Sequence, residues 1–239
     1  LATKLPCWLV DSREKAEELF HTQLERLDRD YVDFYLLHNL NGERWRLLRD
    51  QGVVDWCLDL QRQGLFRRFG FSFHGSYDEF EEILTAREWD LCQLQLNYID
   101  WTFQDGKAKV ELLEQHQIPV WVMEPLRGGR LARLSEAEAA PLKDLRPSET
   151  VPAWAFRFLQ SIPSVTVVLS GMSDLEQLKA KGARDAVKSV LETFGAMSEN
   201  GKDLFTRGQE PLSREAKAYD YRHEPAELLG ALLSVFMRP

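Results

Sequence analysis

One feature constrains this chain more than any other: short runs rich in β-branched and aromatic residues alternate with longer amphipathic stretches. The apolar runs are Leu1–Leu5, Val32–Leu37, Phe69–Phe73, Leu91–Tyr98, Pro119–Met123 and Val165–Leu169. Helical spacing marks Ser12–Leu27, Arg44–Gln63, Tyr77–Ala86, the stretch around Lys107–His116, Val151–Leu159 and a stretch from Asp174. Ser12 is a good N-cap, and Ala16, Leu19, Phe20, Gln23, Leu24 and Leu27 recur on one helical face. Gly64 is a stop signal for the second helical stretch. Runs this apolar belong to strands buried on both faces, as in a parallel sheet covered by helices. The pattern predicts an α/β fold with six β-α units in series. Neither GxGxxG nor GxxxxGK[ST] follows the first strand, which favours a barrel over a dinucleotide-binding or P-loop sheet. The 239 residues can bury one core and approach the roughly 250 of a single TIM barrel.

Charge narrows the function. With 30 basic and 38 acidic residues the formal net charge is −8, which argues against a nucleic-acid binder but allows a small basic pocket for a phosphorylated cofactor. Cys7, Cys57 and Cys92 have neither metal-ligand nor redox-motif spacing and read as free thiols in a reducing compartment. No stretch approaches the length of a membrane span and no signal-peptide pattern opens the sequence, so a cytoplasmic, membrane-free protein is expected. LATKLP reads as the middle of a strand and Leu1 is not a methionine, so the sequence is expected to begin mid-domain.

In a β/α barrel the active site lies where the strands end. The polar residues there are Lys4, His38 with Asn39, Ser72 with His74, Gln93 with Gln95 and Asn97, Glu124, and Ser170 with Gly171. Alone, Lys4 reads as a surface lysine and His38 as a hydrogen-bonded core histidine. Side by side over a barrel mouth they suit hydride transfer: a lysine lowers the pKa of a neighbouring tyrosine, and a histidine orients a carbonyl. Trp8 and Trp101, just past strand ends, fit either a substrate mouth or ordinary packing, whereas Trp45, Trp56 and Trp154 fit a helix-to-barrel core.

ATK at 2–4, DYVDFYLLH at 30–38, GFSFHG at 70–75, QLQLNY at 93–98, MEPLRGGRL at 123–131 and VVLSGMSDLEQL at 167–178 are weak individually and strong as a colinear set. In that order and spacing they resemble the aldo-keto reductase superfamily, and within it a bacterial branch whose members often end in a ferredoxin-like cysteine cluster. No cysteine follows Cys92, so an iron–sulfur centre is not supported. The resemblance implies a TIM (β/α)8-type barrel that reduces small-molecule carbonyls, or oxidises alcohols, with NADPH, NADH being possible.

By the same resemblance Lys4 and His38 match the catalytic lysine and histidine. Ser72 and Gln93 match the side chains that hold the nicotinamide carboxamide. Phe73 replaces a frequent asparagine, and Met123 a tyrosine that stacks on the ring. Pro125, Leu126, Gly128 and Gly129 match the loop along the pyrophosphate. Ser170, Gly171, Met172, Ser173 and Gln177 match the adenosine end. Gly171 and Gln177 occupy positions where many relatives grip a 2′-phosphate with lysine and arginine, which weakens the preference for NADPH.

The family's first two strands, the second supplying a catalytic aspartate and tyrosine, have no counterpart before Leu1. A partial gene product of low turnover is therefore expected, incomplete as a barrel. Residues 1–181 are expected to form the barrel and 182–239 a divergent segment, irregular and then helical. Residues 218–233, AYDYRHEPAELLGALL, faintly resemble the family's tyrosine strand and helix, with Tyr221 as the acid of a permuted chain; they also fit an ordinary C-terminal helix. Two other functions compete with this reading: a cofactor-binding or regulatory barrel without catalysis, and a metal-dependent hydrolase built on His38 and His74. The hydrolase lacks an HxH pair on an early strand. Substrate identity and oligomeric state are not legible.

Overall fold

The computed structural model describes residues 1–171. The expected helix from Asp174, the boundary at residue 181, the segment 182–239 and Tyr221 lie outside the described residues. Leu1–Arg127 and Phe158–Ser170 form one compact unit, and Gly128–Arg157 falls in a second.

The first unit is built on six strands: β1 (Ala2–Pro6), β2 (Val32–Leu40), β3 (Phe66–Phe73), β4 (Leu91–Gln95), β5 (Val120–Met123) and β6 (Val165–Val168). They pair in sequence order, every neighbour parallel. Leu36, Leu91 and Trp121 form an inner core, with Phe34 and Val167 packed against it. The Phe34 and Trp121 rings are 4.7 Å apart although β2 and β5 are separated by two strands, so the sheet curls on itself as a barrel wall does. The architecture is α/β, a parallel six-stranded sheet with alternating helices, of TIM-barrel type. Among the described residues β1 and β6 each pair with one neighbour.

The outer face is equally apolar. Leu5, Tyr35, Leu37, Phe69 and Phe71 are fully buried there. Helix α1 (Arg13–Leu27) lays Ala16, Phe20 and Leu24 on this face, with the Phe20 ring 4.9 Å from Tyr35 and 6.3 Å from Phe66. Ser12 caps α1 as expected, its hydroxyl accepting from the Lys15 amide at 3.2 Å.

The expected Arg44–Gln63 helix is two helices, α2 (Gly42–Asp50) and α3 (Val53–Arg62). Gly52, at φ +70°, interrupts the hydrogen-bond ladder with a left-handed turn that a residue with a side chain resists. Next come α4 (Tyr77–Thr85), the short α5 (Asp100–Phe103) and α6 (Gly106–Gln115). β3 and β4 approach so closely that a Cβ on Gly70 would lie 2.5 Å from the Leu91 carbonyl oxygen.

In the second unit α7 (Glu136–Leu145) opens with a capping box, Ser135 accepting from the Glu138 amide while the Glu138 carboxylate takes the Ser135 N–H. Glu149 there accepts from Arg146 and Arg157. Helix α8 (Val151–Gln160) precedes β6 in the chain. No helix among the described residues is long and apolar enough to cross a membrane.

Candidate functional site

Register decides which strand-end side chains meet. Lys4 pairs with Leu36, so its side chain shares the inner face with that core residue. Two residues further along β2, His38 stands on the same face beside Pro6 of β1. Ser72 pairs with Gln93, and Gln93 with Trp121, another inner-core residue. Met123 follows Trp121 by two. Lys4, His38, Ser72, Gln93 and Met123 thus form a ring of polar and thioether groups just above the apolar plug, at the C-terminal end of the strands.

The end of β2 has a special backbone. The run continues past Leu37 to Leu40, but the register with β3 shifts between those residues. Asn39 sits at φ +56°, a left-handed position that asparagine tolerates better than most residues. Its amide donates to the buried Ser72 hydroxyl oxygen at 2.8 Å, and its carbonyl accepts from Arg44 Nη1 at 2.8 Å. This bulge fixes the backbone beside His38 and ties β2 to β3 and to the first turn of α2.

Burial controls protonation here. Desolvation pushes the His38 pKa down to about 4, helped by the positive charges of Lys4, His74 and Arg44. The ring is therefore neutral at pH 7. Desolvation also lowers the pKa of Lys4. His74 is lowered too, first by desolvation and then by Lys4, Arg44 and Lys109. Trp8, half exposed, packs edge-on against His38 with ring centroids 5.0 Å apart, which puts an indole at the mouth. Trp101 instead packs against Phe158 at 5.5 Å.

Gln93 and Met123 meet directly: Gln93 Nε2 donates to the Met123 sulfur at 3.0 Å. Gln93 Oε1 is buried with no hydrogen-bond partner, an unusual state for a buried amide oxygen. A primary carboxamide such as that of nicotinamide carries the N–H donor this oxygen lacks, so the residues present fit such a group. Phe73 turns outward, packing on Phe80 at 5.1 Å, and takes no place in the ring.

Beyond β5 the backbone turns sharply. Glu124 and Arg127 both have positive φ, and the Arg127 amide donates to the Glu124 carbonyl across Pro125 and Leu126. Asn97 Nδ2 donates to the same carbonyl at 3.1 Å and to buried Asp100 at 2.6 Å; Asp100 lies 3.5 Å from the Arg127 guanidinium. Of this polar anchor, Asn97 is among the strand-end residues legible in the sequence, whereas Asp100 and Arg127 carry no sequence signal of their own. Gly128 and Gly129 follow at φ +63° and +88°. Ser170 and Gly171 close the described residues; Met172, Ser173 and Gln177 lie outside them. Among the described residues no group of His, Cys, Asp and Glu has a metal-holding arrangement.

Comparison with known proteins follows the same lines. Solved structures share the fold: an aldo-keto reductase from Bacillus halodurans in its holo form has a TM-score of 0.62 at 24% identity over 76% of this chain. An aldo-keto reductase from Klebsiella pneumoniae, solved with NADPH, has a TM-score of 0.59 at 20% identity over 77% of this chain. The chain spans 64% and 63% of the lengths of those two proteins, just under two thirds. No curated protein matches. The model of the Aldo/keto reductase family matches residues 1–188, most of the sequence, and the chain therefore belongs to the aldo/keto reductase family.

Proposed function

We propose that this chain carries the lysine–histidine and nicotinamide-holding half of an NAD(P)H-dependent carbonyl reductase site. The observation that carries this reading is the inner-face ring: Lys4 and His38 on adjacent strands, followed by Ser72, Gln93 and Met123, with the Gln93 oxygen buried and unpartnered. When bound, a reduced nicotinamide supplies a hydride to a carbonyl carbon. Gln93 Oε1 would accept from the carboxamide, Ser72 would offer its hydroxyl proton, and Met123 would pack its polarisable sulfur on the ring. His38, neutral, would donate an N–H to the substrate oxygen and so orient the carbonyl without giving up a proton. The Lys4 ammonium would stabilise the charge that grows on that oxygen. The oxygen becomes the alcohol by taking a proton from an acid outside this half of the site, by the family resemblance a tyrosine whose pKa Lys4 would lower. NADPH is the expected cofactor, in keeping with its presence in the Klebsiella pneumoniae relative.

One observation favours a second reading, a barrel that binds the cofactor without turnover. Among the described residues no tyrosine stands on the inner rim: Tyr35 packs outward on Phe20, Tyr31 lies under Arg67, Tyr98 packs on Phe158, and Tyr77 begins α4. Titration with NADPH and NADH, followed by tryptophan fluorescence, tests the proposal. Saturable binding that weakens about tenfold or more in Gln93→Ala supports it, a size expected when a buried hydrogen bond to a ligand is lost. A folded chain that binds neither nucleotide refutes both readings. Binding with no NADPH oxidation on any aldehyde selects the second.

A further inference from the structure

We propose that the substrate bears an anionic group, a carboxylate or a phosphate, in addition to its carbonyl, and that Arg44 binds it. The carbonyl part of this inference rests on the reductase reading above.

The ends of β1, β2 and β3 gather basic side chains. Lys4 and His38 share the inner face, and His74 comes next to them because its amide donates to the Leu40 carbonyl at 2.9 Å. Arg44, in the first turn of α2, is held over the same place by its bond to the Asn39 carbonyl. The charges that act on His38 are Lys4, His74 and Arg44, and those on His74 are Lys4, Arg44 and Lys109. Every one is basic.

Several arginines on the neighbouring helices and strands are paired with carboxylates. Arg46 meets Glu82, Arg49 Asp50, Arg62 Asp59, Arg67 Asp33 and Arg68 Asp90. Among the described residues Lys4 and Arg44 have no carboxylate partner. Lys109 is a different case: it bonds the Gly75 and Gln104 carbonyls and feels Asp105 and Glu79. Glu79 is the carboxylate packed beside the first residue of α2, yet it is committed to the Ser76 amide, and its field is felt at Arg46 and Lys109.

In a chain of net charge −8, an uncompensated basic patch at the mouth of a candidate site focuses anions there. It is also costly, since like charges crowd one another and the pKa values of both histidines are pushed down. A bound anion removes that cost. By the family resemblance the cofactor's own phosphates would lie along the segments that follow β5 and β6, at the other side of the sheet order from β1 and β2. The anion at β1–β3 is then the substrate's.

The test needs no turnover. 4-Carboxybenzaldehyde, 4-formylphenyl phosphate and the neutral methyl 4-formylbenzoate are titrated into the full chain, followed by histidine ring NMR signals and tryptophan fluorescence. The expected result is that one of the anions binds about tenfold or more tightly than the ester, as a charge-assisted bond predicts. Its binding raises the pKa values of His38 and His74 and weakens with salt. Whichever anion binds more tightly identifies the group as carboxylate or phosphate. Arg44→Gln should remove the preference, bringing the anions to the level of the ester measured in the same variant, and Arg44→Lys should keep most of it. Equal binding of ester and anions, no binding by a folded chain, or a preference that survives Arg44→Gln overturns the proposal. NADPH titration is read separately: if NADPH fails to bind while the anion preference holds, the carbonyl chemistry falls and the anion site stands.

Discussion

At the scale of residues, His38 is where chemistry and protonation meet. An exposed histidine titrates near pH 6.5, but this one is desolvated and faces Lys4, His74 and Arg44. Its NMR titration should have a midpoint near 4. Lys4→Met should move that midpoint up, by less than the full displacement, because burial is the larger cause. The linkage has a definite sign. The unfolded chain takes up the proton first, at about pH 6.5, while the folded chain resists it down to about 4. The stability owed to a neutral His38 is thus complete above 6.5 and is lost progressively as pH falls through that window. His74, shifted in the same direction, adds to the loss. A midpoint at 6.5 in the folded chain would mean that the ring is solvated and not part of a desolvated site. The candidacy of His38 and Lys4 was legible from strand-end position and motif. The neutrality of the ring was not, because it depends on neighbours 34, 36 and 6 residues away along the chain. Gln93's orphan oxygen was equally hidden: a motif names the residue, and only packing shows which of its atoms is left unpaired.

Elements were read unevenly, and the errors have local causes. Apolar runs mark all six strands of the described residues, since burial on both faces leaves little room for polar residues. β2 ran three residues longer than its apolar core because a bulge at Asn39 carried the pairing past His38 and Asn39. α2 and α3 merged in the sequence pattern, the periodicity persisting through Gly52. α7 is hidden in the sequence pattern although Ser135-x-x-Glu138 is a capping-box signature, because Pro141 inside it breaks the helical pattern. Two glycines separate these kinds of constraint. Gly70→Ala would press a methyl on the Leu91 carbonyl at 2.5 Å between two central strands, and should cost about 1–3 kcal/mol, the usual range for overpacking. Gly52→Ala meets no atom within 4 Å and strains only its own φ of +70°, so about 1 kcal/mol is expected. Urea unfolding of both variants checks the order. If Gly52→Ala proved the costlier, the β3–β4 contact would be looser than the register implies.

At the scale of the whole molecule, the question is whether a chain spanning under two thirds of its relatives' length assembles enough of a site to bind a nucleotide. The ring of Lys4, His38, Ser72, Gln93 and Met123 needs only β1 to β5, whose pairing is unbroken among the described residues. Binding to the folded state alone stabilises it by mass action, about 2.7 kcal/mol at a hundredfold excess of ligand over Kd. For a chain of this size that corresponds to a rise in Tm on the order of 5 to 10 °C. Tryptophan emission is a suitable probe, because Trp8, Trp45, Trp56, Trp89, Trp101 and Trp121 belong to the unit that carries the ring and only Trp154 to the other. Saturating NADPH should therefore raise the fluorescence-detected Tm of the native chain. The same concentration should raise that of Gln93→Ala by much less, each shift being measured against its own unliganded baseline so that any intrinsic loss in the variant cancels. An equal shift in both would place the nucleotide away from Gln93. No shift in either, from a chain that melts cooperatively, would mean that the strands assemble while the cofactor site requires more of the barrel than they supply.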